Sequence, residues 1–345
     1  MLIRRYRLYA PRDIQCDVYD EEMRNNQVLV RPLMWSICKA DLRYYFGERD
    51  PKILKQKLPL GLIHEAVGEV VFDPSNSSNV GKKVILIPNQ SFDENNYSNY
   101  SRDSKFYSSS LDGFMRELIP MDVENILDIT NLSTKDSQLE VLSISELISV
   151  SLHALRRVNI DVSQVTNEEY KVGVWGDGVV GFLTALVIKK YLPKSELVLF
   201  GKHSENMMRF SFVDRMINVS EDCSELHSFD FCFECVGGVG ASSAINQIID
   251  LAKPCSKVAL LGVSEDHVGI NTRMILEKGL ELIGCSRSER IDFVLVKEFL
   301  EKFPNVFSII SSMITNRVDF NSINDLNEAF KLDKSTRWGK TIIKV

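Results

Sequence analysis

The rhythm of hydrophobic and polar positions changes twice along the chain. Up to about residue 150 the apolar residues fall in short runs rich in branched side chains: Val28-Leu-Val-Arg-Pro-Leu, Gly68-Glu-Val-Val-Phe and Lys83-Val-Ile-Leu-Ile-Pro. Runs of this length, bounded by turn residues, predict strands. Two polar stretches interrupt them, a Ser/Asn turn at 74–79 and an Asn/Ser/Tyr-rich loop at 89–110. Loops as long as the second are usually functional or mobile. Helical spacing over 144–158 then opens a different pattern. A strand at 171–175 leads to a helix at 179–191. A strand at 197–200 is followed by a Met-rich helical run. A strand at 229–234, a helix at 241–251 and a strand at 257–261 complete the series. Such βα alternation predicts a parallel sheet covered by helices on both faces. Beyond about residue 288 the pattern is irregular, and a strand at 340–345 is expected to rejoin the first domain. The fold class is therefore α/β. A β-rich domain over 1–149 and 289–345 encloses a doubly wound domain over 150–288, and no internal repeat is visible.

Composition narrows the partners. The 345 residues suffice for two domains, and 44% hydrophobic content supports a sizeable core. A formal net charge of −6 disfavours nucleic acid, whose phosphates call for clustered Lys and Arg. The start, Met1-Leu-Ile-Arg-Arg-Tyr-Arg-Leu, has charge without an apolar core behind it, unlike a secretory signal. The longest apolar stretch, 172–188, is short and broken by Asp177 and glycines, which argues against a membrane span. The expected compartment is the cytoplasm. Seven scattered cysteines fit that setting, and a disulfide framework is not expected. Cys232 and Cys235, the nearest pair, sit in what reads as a buried strand, a poor place for a redox couple.

Val174-Trp-Gly-Asp-Gly-Val-Val-Gly places Gly176, Gly178 and Gly181 in G-x-G-x-x-G spacing between a strand and a helix. In that context the spacing predicts a dinucleotide site. Gly176 permits the turn, Gly178 lets the backbone approach a pyrophosphate, and Gly181 lets helix and strand pack. Val179 and Val180 open the helix whose positive end faces the anion. At the end of the second strand, where an NAD site usually carries an acid, the chain reads Phe200-Gly201-Lys202-His203, with Arg209 further on. A carboxylate would repel a 2′-phosphate and a lysine attracts it, so NADPH is expected over NADH.

Candidate metal ligands stand in the first domain. Cys38 and Asp41 lie in Ile37-Cys-Lys-Ala-Asp, and His64 and Glu65 in Leu62-Ile-His-Glu-Ala-Val-Gly. Glu146 follows in Ser145-Glu-Leu, near His153. A thiolate, an imidazole and carboxylates suit Zn²⁺ with an open position, and zinc can polarise a carbonyl for hydride attack. Cys38-x-x-Asp41, His64-Glu65-x-x-Gly68 with Gly81-x-x-Val84 behind, and the glycine motif occur in one chain in this order. Together they resemble the medium-chain, zinc-dependent alcohol dehydrogenases, with a GroES-like catalytic domain and a Rossmann cofactor domain. The Glu146 run is similar to the polyol dehydrogenase branch, where a glutamate replaces the third zinc ligand. The resemblance implies Cys38, His64 and Glu146 as ligands, Glu65 as a direct or exchangeable fourth, and Asp41 orienting His64.

Three departures accompany it. Ile63 stands where the signature has glycine. The loop at 89–110 has no cysteine, so no structural zinc is expected. Ala40 replaces the hydroxyl residue that relays the proton in many relatives, leaving Glu65, zinc-bound water or Tyr44 as the route.

Longer runs carry a closer resemblance. Arg31-Pro-Leu-Met-Trp-Ser-Ile-Cys-Lys-Ala-Asp-Leu-Arg-Tyr-Tyr-Phe-Gly is one, with Leu58-Pro-Leu-Gly-Leu-Ile-His-Glu and Phe233-Glu-Cys-Val-Gly-Gly. Ile283-Gly-Cys-Ser-Arg-Ser and Trp338-Gly-Lys-Thr are others. They resemble the ribulose-5-phosphate reductases, which make ribitol 5-phosphate for CDP-ribitol. This implies NADPH-dependent reduction of the C2 ketone of D-ribulose 5-phosphate, feeding teichoic-acid or capsule synthesis through a ribitol-5-phosphate cytidylyltransferase. A homodimer or homotetramer is implied likewise. A phosphate dianion needs cations. Arg287 matches a polyol-binding arginine of sorbitol dehydrogenases, and Arg43 and Lys39 flank the metal cysteine. Two alternatives stay open: an NAD-linked polyol dehydrogenase acting on an unphosphorylated sugar alcohol, and a non-catalytic dinucleotide-binding protein.

Overall fold

The computed structural model describes residues 1–90, 98–221 and 226–345. It divides into two compact units, Met1–Glu146 with Arg287–Val345, and Leu147–Ser286.

The first unit is organised by one long strand, Gln27–Ser36, buried at most positions because its apolar run is nearly continuous. Across its sheet the order is Ile314–Asp319, Lys340–Lys344, Gln27–Ser36, Glu65–Phe72, Lys83–Leu86 and Ile126–Asp128, and Ile119–Asp122 also pairs with Gln27–Ser36. The register shifts between Pro32 and Met34, where proline has no N–H to give the ladder. Ser36 faces Glu65 on one side and Ile342 on the other. The strand starting at Lys340 thus returns to this unit and lies in the middle of its sheet. Trp35, Tyr45, Leu62, Ile63, Phe114 and Phe330 are fully buried in the core beneath it.

The second unit is a six-stranded, all-parallel sheet. Its order is Arg215–Asn218, Glu196–Gly201, Lys171–Trp175, Phe229–Glu234, Ala252–Leu260 and Glu281–Gly284. The first strand of this series lies in the middle, and the order reverses beside it. The carboxyl ends of strands at such a switch point form the crevice where dinucleotides bind in doubly wound folds. Trp175 stacks on Phe200 with ring centroids 4.2 Å apart beneath that edge.

Several elements differ from the sequence reading. The Met-rich helical run is a four-residue helix, Ser204–Met207, and Arg209 lies past its end. Phe210 ends it by turning into the core against Phe182. The stretch beyond 288 is regular: helices Arg290–Lys302, Val306–Ser311 and Ile323–Ser335 surround the strand Ile314–Asp319. The loop at 89–110 contains a short ribbon, Asn89–Gln90 with Lys105–Phe106; its residues 91–97 lie outside the described ones. Among the described residues six cysteines are free, and no helix is long and apolar enough to cross a membrane. Cys223 lies outside the described residues. Burial pushes the Cys232 and Cys235 thiols well up, which suppresses the reactive thiolate.

Candidate metal centre and cofactor loop

Cys38 follows the central strand of the first unit and immediately precedes the helix Lys39–Tyr45. The helix is anchored by Asp41, which is fully buried. Asp41 Oδ2 accepts the Cys38 N–H at 3.1 Å, and Oδ1 accepts the Ile63 N–H at 3.0 Å and the Ser108 hydroxyl at 3.0 Å. Ser108 Oγ also lies 3.0 Å from His64 Nδ1, with Asp41 Oδ1 3.4 Å from the same nitrogen. An Nδ1–H donating on this side leaves the Nε2 lone pair for a metal. Burial opposes a charge on His64, but Asp41 and Cys38 outweigh it and hold the imidazole above its usual range. Burial likewise pushes Asp41 up, and His64 with the two backbone donors more than reverses this. Asp41 reaches His64 both directly and through Ser108. Replacing Ser108 with alanine is expected to weaken metal binding about 10–100-fold, as read by competition with a chelating dye.

Ile63 adopts φ +69°, a left-handed conformation that a β-branched residue takes at a cost of about 1–2 kcal/mol. It is held there because its N–H is bound by Asp41 and its carbonyl accepts the Phe114 N–H at 2.8 Å. Its side chain is also fully buried. Where the signature has glycine, the chain thus keeps the glycine-like backbone and fills the core.

Glu65 begins the strand beside Cys38 and is buried. Lys340 Nζ lies 2.9 Å from Oε1 and 2.8 Å from Oε2, and its hydrogen bond goes to Oε1. Lys340 also donates to the Ile37 carbonyl at 2.6 Å. Burial opposes its charge, but Glu65 and Cys38 hold the ammonium above the ordinary lysine range. Cys38, His64 and Glu65 each offer a ligand atom, and these lie within 4.8 Å of one another. An ion bound at 2.0–2.3 Å from S, N and O fits such a spacing. Glu65 Oε2 accepts no hydrogen bond and lies against the Lys340 ammonium alone. Glu146 stands outside this trio, at the start of the helix Ser145–Arg157. Burial, opposed by His64 and reinforced by Glu65, pushes its carboxyl up to about 7.

The cations expected for phosphate are placed differently. Lys39 is exposed and Arg43 half-buried on the helix after Cys38. Tyr44 is buried with the Arg49 guanidinium 4.8 Å from its ring centre. Arg287 is exposed with φ +54°. Its carbonyl accepts Asn99 Nδ2–H at 2.8 Å and its Nη1 donates to Ser104 at 3.0 Å. One segment, 98–110, thus holds Arg287 through Asn99 and Ser104 and His64 through Ser108.

In the second unit the three glycines differ in what they permit. A Cβ on Gly181 would lie 1.9 Å from the Gly176 carbonyl oxygen, and Gly176 itself has φ +127°. A Cβ on Gly178 would point into open space, the room a pyrophosphate needs. Gly178 caps the helix Val179–Tyr191 with no side-chain hydrogen bond. The first N–H groups, those of Val179 and Val180 among them, are therefore left for an anion. Beside this loop the buried Glu234 accepts the N–H groups of Val236 and Gly237 at 2.8 Å and of Gly262 at 3.1 Å, joining the ends of two adjacent strands. Lys202 and Arg209 are exposed after the second strand. Sequence reasoning missed Ser108, Lys340 and the partner of the Lys202 turn, Asp177. Each acts across a separation of 25 residues or more, and no local pattern announces it.

Comparison with known proteins decides the family. Residues 24–131 match the alcohol dehydrogenase GroES-like domain. Ribulose-5-phosphate reductase 1 of Staphylococcus aureus is 42% identical over 341 residues, spanning 98% of each chain. The chain belongs to the ribulose-5-phosphate reductase family. The ribulose-5-phosphate reductase of Bacillus spizizenii is 40% identical, over 100% of this chain and 99% of its own. The crystal structure of S. aureus TarJ in complex with NADPH matches with a TM-score of 0.86 at 40% identity, covering 100% of this chain and 99% of that one. The GroES-like and doubly wound architecture is thus that of the reductase family.

Proposed function

We propose that this chain reduces the C2 ketone of D-ribulose 5-phosphate to D-ribitol 5-phosphate with NADPH, at a single zinc site and with no structural zinc. The observation that carries the reading is full-length similarity, at 37–42% identity, to four proteins that bear the ribulose-5-phosphate reductase name. The product would pass to a ribitol-5-phosphate cytidylyltransferase supplying teichoic-acid or capsule synthesis.

Cys38, His64, Glu65 and Glu146 would hold the metal, a donor set of the kind zinc takes. When bound, zinc supplies a Lewis acid for the ketone and NADPH supplies the hydride. Asp41 and Ser108 fix the ring of His64, so that its Nε2 is ready before any ligand arrives. Lys340 balances the charge of Glu65, with its ammonium against both carboxylate oxygens. Ala40 has no hydroxyl to relay a proton, so the product hydroxyl takes its proton through water at Glu65. Arg287, fixed by Asn99 and Ser104, is assigned to the substrate phosphate, with Arg43 and Lys39 as further cations. Gly176, Gly178 and Gly181 carry the pyrophosphate loop, and Lys202 and Arg209 supply positive charge for the 2′-phosphate.

The test follows NADPH oxidation with D-ribulose 5-phosphate and with free D-ribulose in parallel, before and after a chelator. Turnover of the phosphate alone, lost on chelation and restored by Zn²⁺, is expected. Equal turnover of both sugars would remove the phosphate pocket, and indifference to chelation would remove the metal.

A further inference from the structure

A dinucleotide site that prefers NADH usually ends its second strand on an acid that binds the ribose hydroxyls. In this chain the strand Glu196–Gly201 ends on glycine, and a side chain there would have to displace Met207. A Cβ on Gly201 would lie 2.6 Å from Met207 Cγ, 2.8 Å from its sulfur and 3.1 Å from Asp177 Cβ. The carboxylate in this corner comes instead from the glycine loop. Asp177 is 9% exposed and turned toward the strand end. Its Oδ2 accepts the N–H groups of Lys202 at 3.0 Å and His203 at 2.5 Å, and His203 Nδ1 lies 3.1 Å away. Its lone pairs are therefore engaged by protein donors. Lys202 and His203 carry exposed side chains on the turn so fixed.

Resting on the NADPH-linked reading above, we propose that Asp177 positions the cofactor-selecting turn and that His203, through Nε2, joins Lys202 in binding the 2′-phosphate. The carboxylate at Nδ1 sets the ring so that Nε2 is its outward nitrogen, from which an N–H donates to a phosphate oxygen. Asp177 also sits between Gly176 and Gly178, so one side chain ties the glycine loop to the turn of Lys202 and His203. Selection against NADH then comes from two features together. An acid at Gly201 would have to displace the Met207 side chain, and Asp177 is committed to holding the turn that carries Lys202 and His203.

The experiment is calorimetric titration of the full chain with adenosine 2′,5′-bisphosphate and with 5′-AMP. Neither probe carries a nicotinamide, and neither depends on the metal. The unmodified protein is expected to prefer the bisphosphate. Asp177→Ala and His203→Ala should each cut that preference roughly tenfold, the scale of one hydrogen bond to a charged group. Asp177→Asn should keep most of it, because its amide oxygen still accepts the two backbone N–H groups. In turnover, the loss should appear in KM for NADPH rather than in kcat. A preference unchanged in both alanine variants overturns the proposal, as does an equal loss of affinity for both probes. An unmodified protein with no preference removes the NADPH-linked reading itself, an outcome distinguishable from failure of the variants alone.

Discussion

Cys38→Ala is expected to empty the metal centre and to cut turnover of D-ribulose 5-phosphate by roughly 10³–10⁴-fold. The trio of Cys38, His64 and Glu65 contains a single sulfur, and no other thiol is part of it. Loss of the Lewis acid removes several kcal/mol of charge stabilisation from hydride transfer, and each ~1.4 kcal/mol is tenfold in rate. Metal analysis and kinetics on the same sample check the result. Metal content near zero with residual activity at the background rate is expected. Retention of one equivalent of zinc together with full turnover would show that Cys38 lies outside the centre. Affinity for adenosine 2′,5′-bisphosphate should be unchanged, because the residues assigned to that probe all belong to the second unit.

Lys340→Met should destabilise the metal-free chain by about 3–5 kcal/mol, the cost of leaving a buried charge without its partner. Both members are almost wholly removed from solvent, at 4% and 0% side-chain exposure for Lys340 and Glu65. Methionine keeps the length of the side chain and removes only the ammonium. Adding Glu65→Gln to Lys340→Met should recover most of the loss, since neither buried group is then charged. Zinc should also recover part of it, because a cation beside Glu65 takes over the role of the ammonium. Urea unfolding read by Trp35 and Trp338 in the first unit, with Trp175 in the second replaced by phenylalanine, measures the effect. A midpoint equal to that of the unmodified protein would mean that the pair does not matter to stability.

How much of this was legible in the sequence depended on the distance over which each residue acts. The helix Val179–Tyr191 and the strand Phe229–Glu234 could be read residue for residue, the helix from the apolar run that follows the glycine motif and the strand from Phe229, Phe231, Cys232 and Phe233. The candidate metal trio was legible through short motifs, since Cys38 stands with Asp41 and His64 with Glu65 in the sequence. The hairpin Leu2–Ala10 with Asp13–Asp20 gave no such signal. Its charged residues look like a solvated surface, yet Arg5 pairs with Asp17 and both Arg5 and Arg7 reach Asp112. Beyond 288 the apolar period is weak, but start signals were present. Asp292 bonds back to the Glu289 N–H and Asp325 to the Ser322 N–H, which is how the helices Arg290–Lys302 and Ile323–Ser335 begin. The Met-rich run was overread because methionine favours helices without specifying their length, and Phe210 ended the helix for reasons of packing. Ser108 and Lys340 were invisible because their partners are 67 and 275 residues away.

The position of Lys340–Lys344 in the sheet has a consequence for how the protein is made. This strand lies between Ile314–Asp319 and Gln27–Ser36, yet it leaves the ribosome after everything it pairs with. The contiguous unit Leu147–Ser286 has all its strands in hand long before that moment and can fold during translation. The first unit must wait with a gap in its sheet, two unpaired strand edges and the carboxylate of Glu65 lacking its ammonium. A nascent chain stalled before Lys340 would therefore display an adhesive edge that chaperones and proteases recognise. Arrival of one short strand closes the sheet and neutralises Glu65 at the same time, so maturation of the first unit is coupled to synthesis of Lys340–Lys344.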